Sequence, residues 1–397
     1  MRTAIAAIVF VPALVRAAPD ELALGKAEGY PICGPAPRIE TRCLVGELSR
    51  RDEVYPSRKV AKGDATFPLE HAPLEPPIRY AFQSQTRGID DYLARNRTTG
   101  LLILRGSSIL VERYQYDRTP GHRMTSMSMA KTIVAMLVGI ALAEGRIASL
   151  DDHAGQYVAE LAGTPYGETA IRHLLSMSSG VRFSEVYSGA DDIALLGRLS
   201  LLGQSDGGAA TLAPFRTRER PAGQRFHYAS AETQVLGLVL RAATGKALAD
   251  YLSEKVWRPM GAEANASWLI DKGGYETAYT GVNATLRDYG RLGLMLANDG
   301  KLGVRQVVPA DWVRAATTPP GKAFEPRRPG SLLGYGYQTW ILPGDERQFV
   351  FRGVRRQALF VDPASKTVMV HTGVAGIGDP NFSELLALWK GVLASLE

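Results

Sequence analysis

The sequence predicts a mixed α/β chain of the α+β kind, an antiparallel β-sheet flanked by helices with a helical insertion. Three observations predict it. Residues 100–116 read as a hairpin, two β-rich runs meeting at Gly106-Ser107-Ser108. Residues from 151 to about 240 carry helical and loop patterns without strand alternation. Strand patterns then return near the C-terminus before a last helical stretch at 382–396.

In chain order, residues 1–17 read as a secretory leader. Arg2 supplies the basic start, residues 3–15 the apolar centre, and Val15-Arg16-Ala17 the small-x-small cleavage site. The apolar part is too short to span a bilayer, so the expectation is an exported protein, periplasmic or secreted, with no permanent membrane span. Residues 18–77 form a loop-rich, proline-rich segment that holds both cysteines, Cys33 and Cys43. In an oxidising compartment the pair would close a small loop; in a reducing one both stay free thiols. The main domain is expected over 78–397, with a helical subdomain at about 151–240. After the hairpin comes the apolar run 132–144, a buried helix stopped at Gly145. Residues 171–180 read as a short helix ending in glycine, and 231–243, 247–256 and 286–298 as longer ones. Strands are expected at 348–351, 357–361 and 367–371, the last two joined by the turn Asp362-Pro363-Ala364-Ser365-Lys366.

The chemistry sits at the start of the buried run, in Ser128-Met129-Ala130-Lys131. Side chains three apart on a helix share a face, so the Lys131 amine reaches the Ser128 hydroxyl. Serine is a weak nucleophile without a base, and lysine is a base only where burial lowers its pKa. A helix sunk in the core offers that burial, and its N-terminus offers N–H groups to an oxyanion. Tyr228, displayed after the turn Pro221-Ala222-Gly223, can carry a proton if Lys131 stabilises its phenolate.

Other chemistries are excluded by what surrounds their residues. The six histidines lack H-E-x-x-H or paired spacing, no Cys/His cluster exists, and neither a metal nor a cofactor is expected. No P-loop, dinucleotide fingerprint or G-x-S-x-G elbow occurs. The formal net charge of +6 is spread out, with Arg2 and Arg16 leaving in the leader, so no nucleic-acid surface is expected.

S-x-x-K at Ser128, Tyr228-Ala229-Ser230 as Y-x-[NS], and a glycine-containing strand near the C-terminus together resemble the serine β-lactamase and penicillin-recognising superfamily. The pattern is most similar to its class C-like branch of 6-aminohexanoate-dimer hydrolases and related esterases. Segments 171–180, 281–293 and 334–340 carry the likeness further, and it runs from about residue 100 to the end. The resemblance implies a β-lactamase/transpeptidase-like fold and an acyl-enzyme on Ser128, with Lys131 as base and Tyr228 carrying protons to the leaving group. It implies Ser230 as a hydrogen-bonding neighbour and Gly353 to Gln357 as the edge strand. The N–H groups of Val354 and Ser128 become the oxyanion hole, and Tyr187 the tyrosine covering substrate. The expected partner is a small ester or linear amide; nothing in the chain speaks to oligomeric state.

The chain departs from true β-lactamases in lacking Lys-Thr-Gly before Gly353. Arg355 and Arg356 stand where they could hold an anionic substrate end instead, or be solvated. His371-Thr372-Gly373 spells a variant of the missing motif but ends the following strand, so His371 enters only as a secondary substrate-binding candidate. A D-amino-acid peptidase or weak β-lactamase on cell-wall-like substrates remains an alternative, as does a non-catalytic penicillin-binding-type sensor.

Overall fold

A computed structural model describes residues 17–328, 330–377 and 382–396. The leader expected at 1–17 lies outside the described residues except for Ala17. Eight strands make the main sheet, in the order Gly334–Tyr335, Trp340–Ile341, Phe349–Gly353, Gln357–Asp362, Thr367–Gly373, Thr98–Arg105, Ser108–Tyr114, Glu70–His71. Every pairing is antiparallel except the last, where Glu70 and His71 run parallel to Ser108 and Ile109.

The middle strands read Leu101-Leu102-Ile103-Leu104 and Ala358-Leu359-Phe360-Val361 because both faces of the sheet are covered. Leu102, Leu104, Leu359 and Val361 join the larger core with the helix Ala130–Ala143. Leu101, Ile103, Ala358 and Phe360 join a second core beneath the C-terminal helix Phe382–Ala394. That alternation is the strand's period of two, buried on both sides.

The helix Ala130–Ala143 is buried almost throughout, and Gly145 turns the chain out of it at φ +67°. Gly139 lets it lie against Trp312, whose indole N–H donates to Ala135 O at 2.9 Å. Helices Ser230–Thr244 and Leu286–Ala297 fall where expected. The helix at 171 is shorter than the glycine stop implies, spanning Ile171–Leu175, because Met177 takes a positive φ of 54° well before Gly180.

A second sheet was not anticipated. It orders Ser57–Val60, Ala266–Leu269, Val282–Ala284 and Met124–Thr125 in antiparallel pairs, so part of the N-terminal segment is built into the body of the molecule. Cys33 and Cys43 form a disulfide with Cα atoms 5.9 Å apart. Leu24, Tyr30, Leu44, Val45 and Leu48 pack from this segment onto Tyr116, Val374 and Met127, the residue before Ser128. Among the described residues no helix is long and apolar enough to cross a membrane.

Candidate active site

Ser128 sits in a 3₁₀ turn, Met127–Met129, that runs directly into the buried helix. Lys131 is 1% exposed and donates from Nζ to Ser128 Oγ at 2.9 Å and to Tyr279 O at 3.1 Å. No carboxylate pairs with it at contact distance among the described residues, and burial pushes its pKa down to about 8 against a modest opposing pull from Glu185. The amine is therefore neutral in a minor but appreciable fraction at pH 7 and in most molecules above pH 8. The neutral form is the state a base requires.

Tyr228 lines the same cavity as Ser128, whose side chain is near enough to act on the phenol. Lys131 Nζ lies 5.1 Å from its ring centre. Burial, and then the Glu185 carboxylate, raise the Tyr228 pKa well above that of a free phenol. Both make the phenolate that Lys131 was expected to stabilise harder to form. Trp340 stacks on it with centroids 5.4 Å apart and planes 26° from parallel.

The edge strand comes unusually close. A Cβ on Gly353 would stand 2.7 Å from Ser126 O and 3.0 Å from the Ser128 backbone N, so only glycine admits this approach. Beyond it the chain makes a tight turn with Arg355 and Arg356 at positive φ, 62° and 66°. Ser128, Tyr187, Tyr228, Trp340, Gly353 and Val354 all line one cavity of about 300 Å³, together with Arg352 and Phe382.

Other expected residues divide between the cavity and its support. Arg355 lines the cavity but donates to Ala375 O at 3.0 Å, and burial with Arg51, Arg38 and Arg97 nearby lowers its pKa to about 10. Arg356 also lines the cavity, but it is 9% exposed and its guanidinium bonds Asn96 Oδ1. His371 is fully buried and is not among the cavity's lining residues. Its Nδ1 bonds Arg356 O at 2.7 Å, which requires Nδ1–H, and Nε2 then accepts from Thr98 at 3.0 Å and Tyr92 at 3.2 Å. Burial holds this imidazole neutral, with a pKa near 4. Its ring is spent on shaping the turn.

Ser230 also faces protein. Its N–H and Oγ–H both donate to Glu185, at 2.8 and 2.9 Å, and Tyr187 Oη–H donates to the same carboxylate at 2.8 Å. Glu185 therefore ties the Tyr187 loop to the N-terminus of the helix carrying Ser230.

The Beta-lactamase family profile matches residues 87–372 of this chain. The chain belongs to the beta-lactamase family. A 6-aminohexanoate-dimer hydrolase of Paenarthrobacter ureafaciens is 29% identical over 355 residues, 87% of this chain and 88% of that one. A solved structure described as a 6-aminohexanoate-dimer hydrolase from Bacillus anthracis superposes with a TM-score of 0.79 at 25% identity, covering 89% of this chain and 94% of the other. The hydrolase EstCE1 shares the fold at a TM-score of 0.57 and 16% identity, over 76% of this chain and 95% of its own.

Within this beta-lactamase fold, three residues at the site had no role assigned from the sequence. Glu185 is an ordinary loop carboxylate two positions before Tyr187, and nothing local says that it meets residue 230. Trp340 reaches Tyr228 only because Trp340–Ile341 adds to the sheet beside Phe349–Gly353. Arg352 carries a faint signal, a charge in the apolar strand Phe349-Val350-Phe351 next to Gly353. Cys33, Glu40 and Cys43 bring donor atoms within 4.8 Å of one another, but the two sulfurs are bonded together.

Proposed function

We propose that this chain is a serine hydrolase that opens an ester or linear amide through an acyl-enzyme on Ser128, in the manner of a 6-aminohexanoate-dimer hydrolase or esterase. The observation that carries the reading is the 2.9 Å hydrogen bond from a buried Lys131, its pKa lowered to about 8, to Ser128 Oγ at the mouth of a cavity. Neutral Lys131 takes the Ser128 proton as Oγ attacks the carbonyl carbon. The Ser128 and Val354 N–H groups receive the oxyanion, one such donor being worth roughly 3 kcal/mol in the transition state. As the tetrahedral adduct collapses, Tyr228 gives its proton to the departing oxygen or nitrogen and regains one from the Lys131 ammonium. Water then attacks the acyl carbon, its proton passing to the same pair, and Ser128 leaves reprotonated. Tyr187, tethered through Glu185, closes one wall of the cavity. No cofactor enters this scheme, and export to the periplasm or the medium belongs with it as a proposal from the leader at 1–17.

Intact-mass spectrometry after brief exposure to 4-nitrophenyl butyrate tests the reading, with nitrophenolate release followed in parallel. A butyryl adduct or steady release that disappears in Ser128→Ala is the expected result. Release of equal rate in wild type and Ser128→Ala overturns it. A persistent adduct without turnover favours the sensor alternative, and cleavage confined to D-alanyl peptides favours the peptidase.

A further inference from the structure

Strand alternation in Phe349–Gly353 sends Phe349 and Phe351 into the larger core and Val350 into the smaller one, so Arg352 points to the face of the C-terminal helix at the cavity's edge. Its guanidinium carbon lies 4.1 Å from the centre of the Phe382 ring and 5.8 Å from that of Trp340, all three side chains lining the cavity. Among the described residues it has no hydrogen-bond acceptor and no ion-pair partner. The polar groups acting on it are the hydroxyls of Tyr228 and Tyr187, with no carboxylate among them. Glu185 is occupied by Ser230 and Tyr187. The two neighbouring arginines are spent on the turn, Arg355 on Ala375 O and Arg356 on Asn96.

The guanidinium is partly exposed and lines the cavity, so its donors open onto whatever occupies that space while its faces rest on Phe382 and Trp340. Planar carboxylates match its fork. Its place in the site is decided by its neighbours. Arg352 shares Trp340 with Tyr228, the residue that protonates the departing group. We propose that Arg352 binds a carboxylate on the leaving-group half of the substrate, so that the preferred substrates are esters or amides that release a hydroxy acid or an amino acid. The inference rests on the acyl-enzyme reading above and narrows its substrate class.

The test compares 3-carboxyphenyl butyrate with its methyl ester, 3-(methoxycarbonyl)phenyl butyrate, which share an acyl group and differ in the charge on the leaving half. Phenol release by liquid chromatography gives kcat/KM for wild type, Arg352→Gln and Arg352→Lys. The ratio of acid to methyl ester should fall about tenfold or more in Arg352→Gln, mainly through KM, and recover in part in Arg352→Lys. A structural role lowers both substrates together and leaves the ratio unchanged, which overturns the proposal. Calorimetric titration of 3-hydroxybenzoate into Ser128→Ala and Ser128→Ala/Arg352→Gln reads the site without turnover. Binding that Arg352→Gln weakens by a similar factor supports the assignment even if the acyl-enzyme reading fails, and binding indifferent to Arg352 refutes it even if that reading holds.

Discussion

At the scale of the residue, the proposed mechanism makes Lys131 decide the pH behaviour. Only its neutral form can accept the Ser128 proton, so kcat/KM on a neutral ester should climb with pH and level off above an apparent pKa near 8. A profile flat from pH 6 to 10 would remove Lys131 as the base. The burial that lowers this pKa also costs stability. Below pH 8 the amine is charged both folded and unfolded and the fold carries the whole penalty, on the order of 3 kcal/mol from the displacement below 10.5. Between 8 and 10.5 the unfolded chain binds more protons, so this group's penalty is relieved as pH rises. Lys131→Met should therefore lose at least about two orders of magnitude in activity while its melting temperature at pH 7 rises. Glu185 acts in the opposite sense, since its carboxylate raises the lysine pKa. Glu185→Gln should move the acid limb of the rate profile to lower pH, and a shift to higher pH would show that another charge governs Lys131. Tyr228→Phe should lower kcat by about two orders of magnitude. Its effect should deepen with amides, whose leaving nitrogen needs a proton more than a phenolate oxygen does.

At the scale of the element, the close passage of Phe349–Gly353 over the turn that carries Ser128 is the most exacting contact. Gly353 has an extended φ of −128°, so glycine serves here for space and not for backbone freedom. Gly353→Ala should force the strand off Ser128 and cost about two orders of magnitude in kcat, the loss of one oxyanion donor. Unchanged kcat would place the oxyanion elsewhere. Long elements with both faces or one face plainly apolar were legible: the hairpin Thr98–Arg105 and Ser108–Tyr114, the helix Ala130–Ala143, and the helices at 230, 286 and 382. The second sheet was not. Its strands run from two to four residues, too short for alternation to appear, and pairing with distant partners is what makes them strands.

At the scale of the molecule, the two cores on either side of the main sheet hold the turn that carries Ser128 between the edge strand and the buried helix. The N-terminal segment braces that arrangement from outside, with its disulfide closing a loop between residues ten apart. Loop-closure entropy for such a span is about 3 kcal/mol. Cys33→Ser/Cys43→Ser should lower the melting temperature and expose the segment before residue 56 to limited proteolysis. Equal melting temperatures with and without the bond would show that the packing of Leu24, Tyr30 and Leu44 suffices alone.

Ser128 and Lys131 were readable from the chain alone because their meeting depends on local helix geometry, which spacing reports. Tyr228 was readable through its motif and the family likeness, although its protonation state was not, because that follows from how deeply the ring is packed. Glu185, Trp340 and Arg352 became part of the site only in the folded molecule, as did the pairing of Arg356 with Asn96 and the placement of His371 behind the turn that carries Val354. Each of these depends on strands and loops far apart in sequence packing into one place. A residue's type and spacing determine what it can do chemically, but its neighbours, its burial and hence its charge are set by contacts across the whole chain.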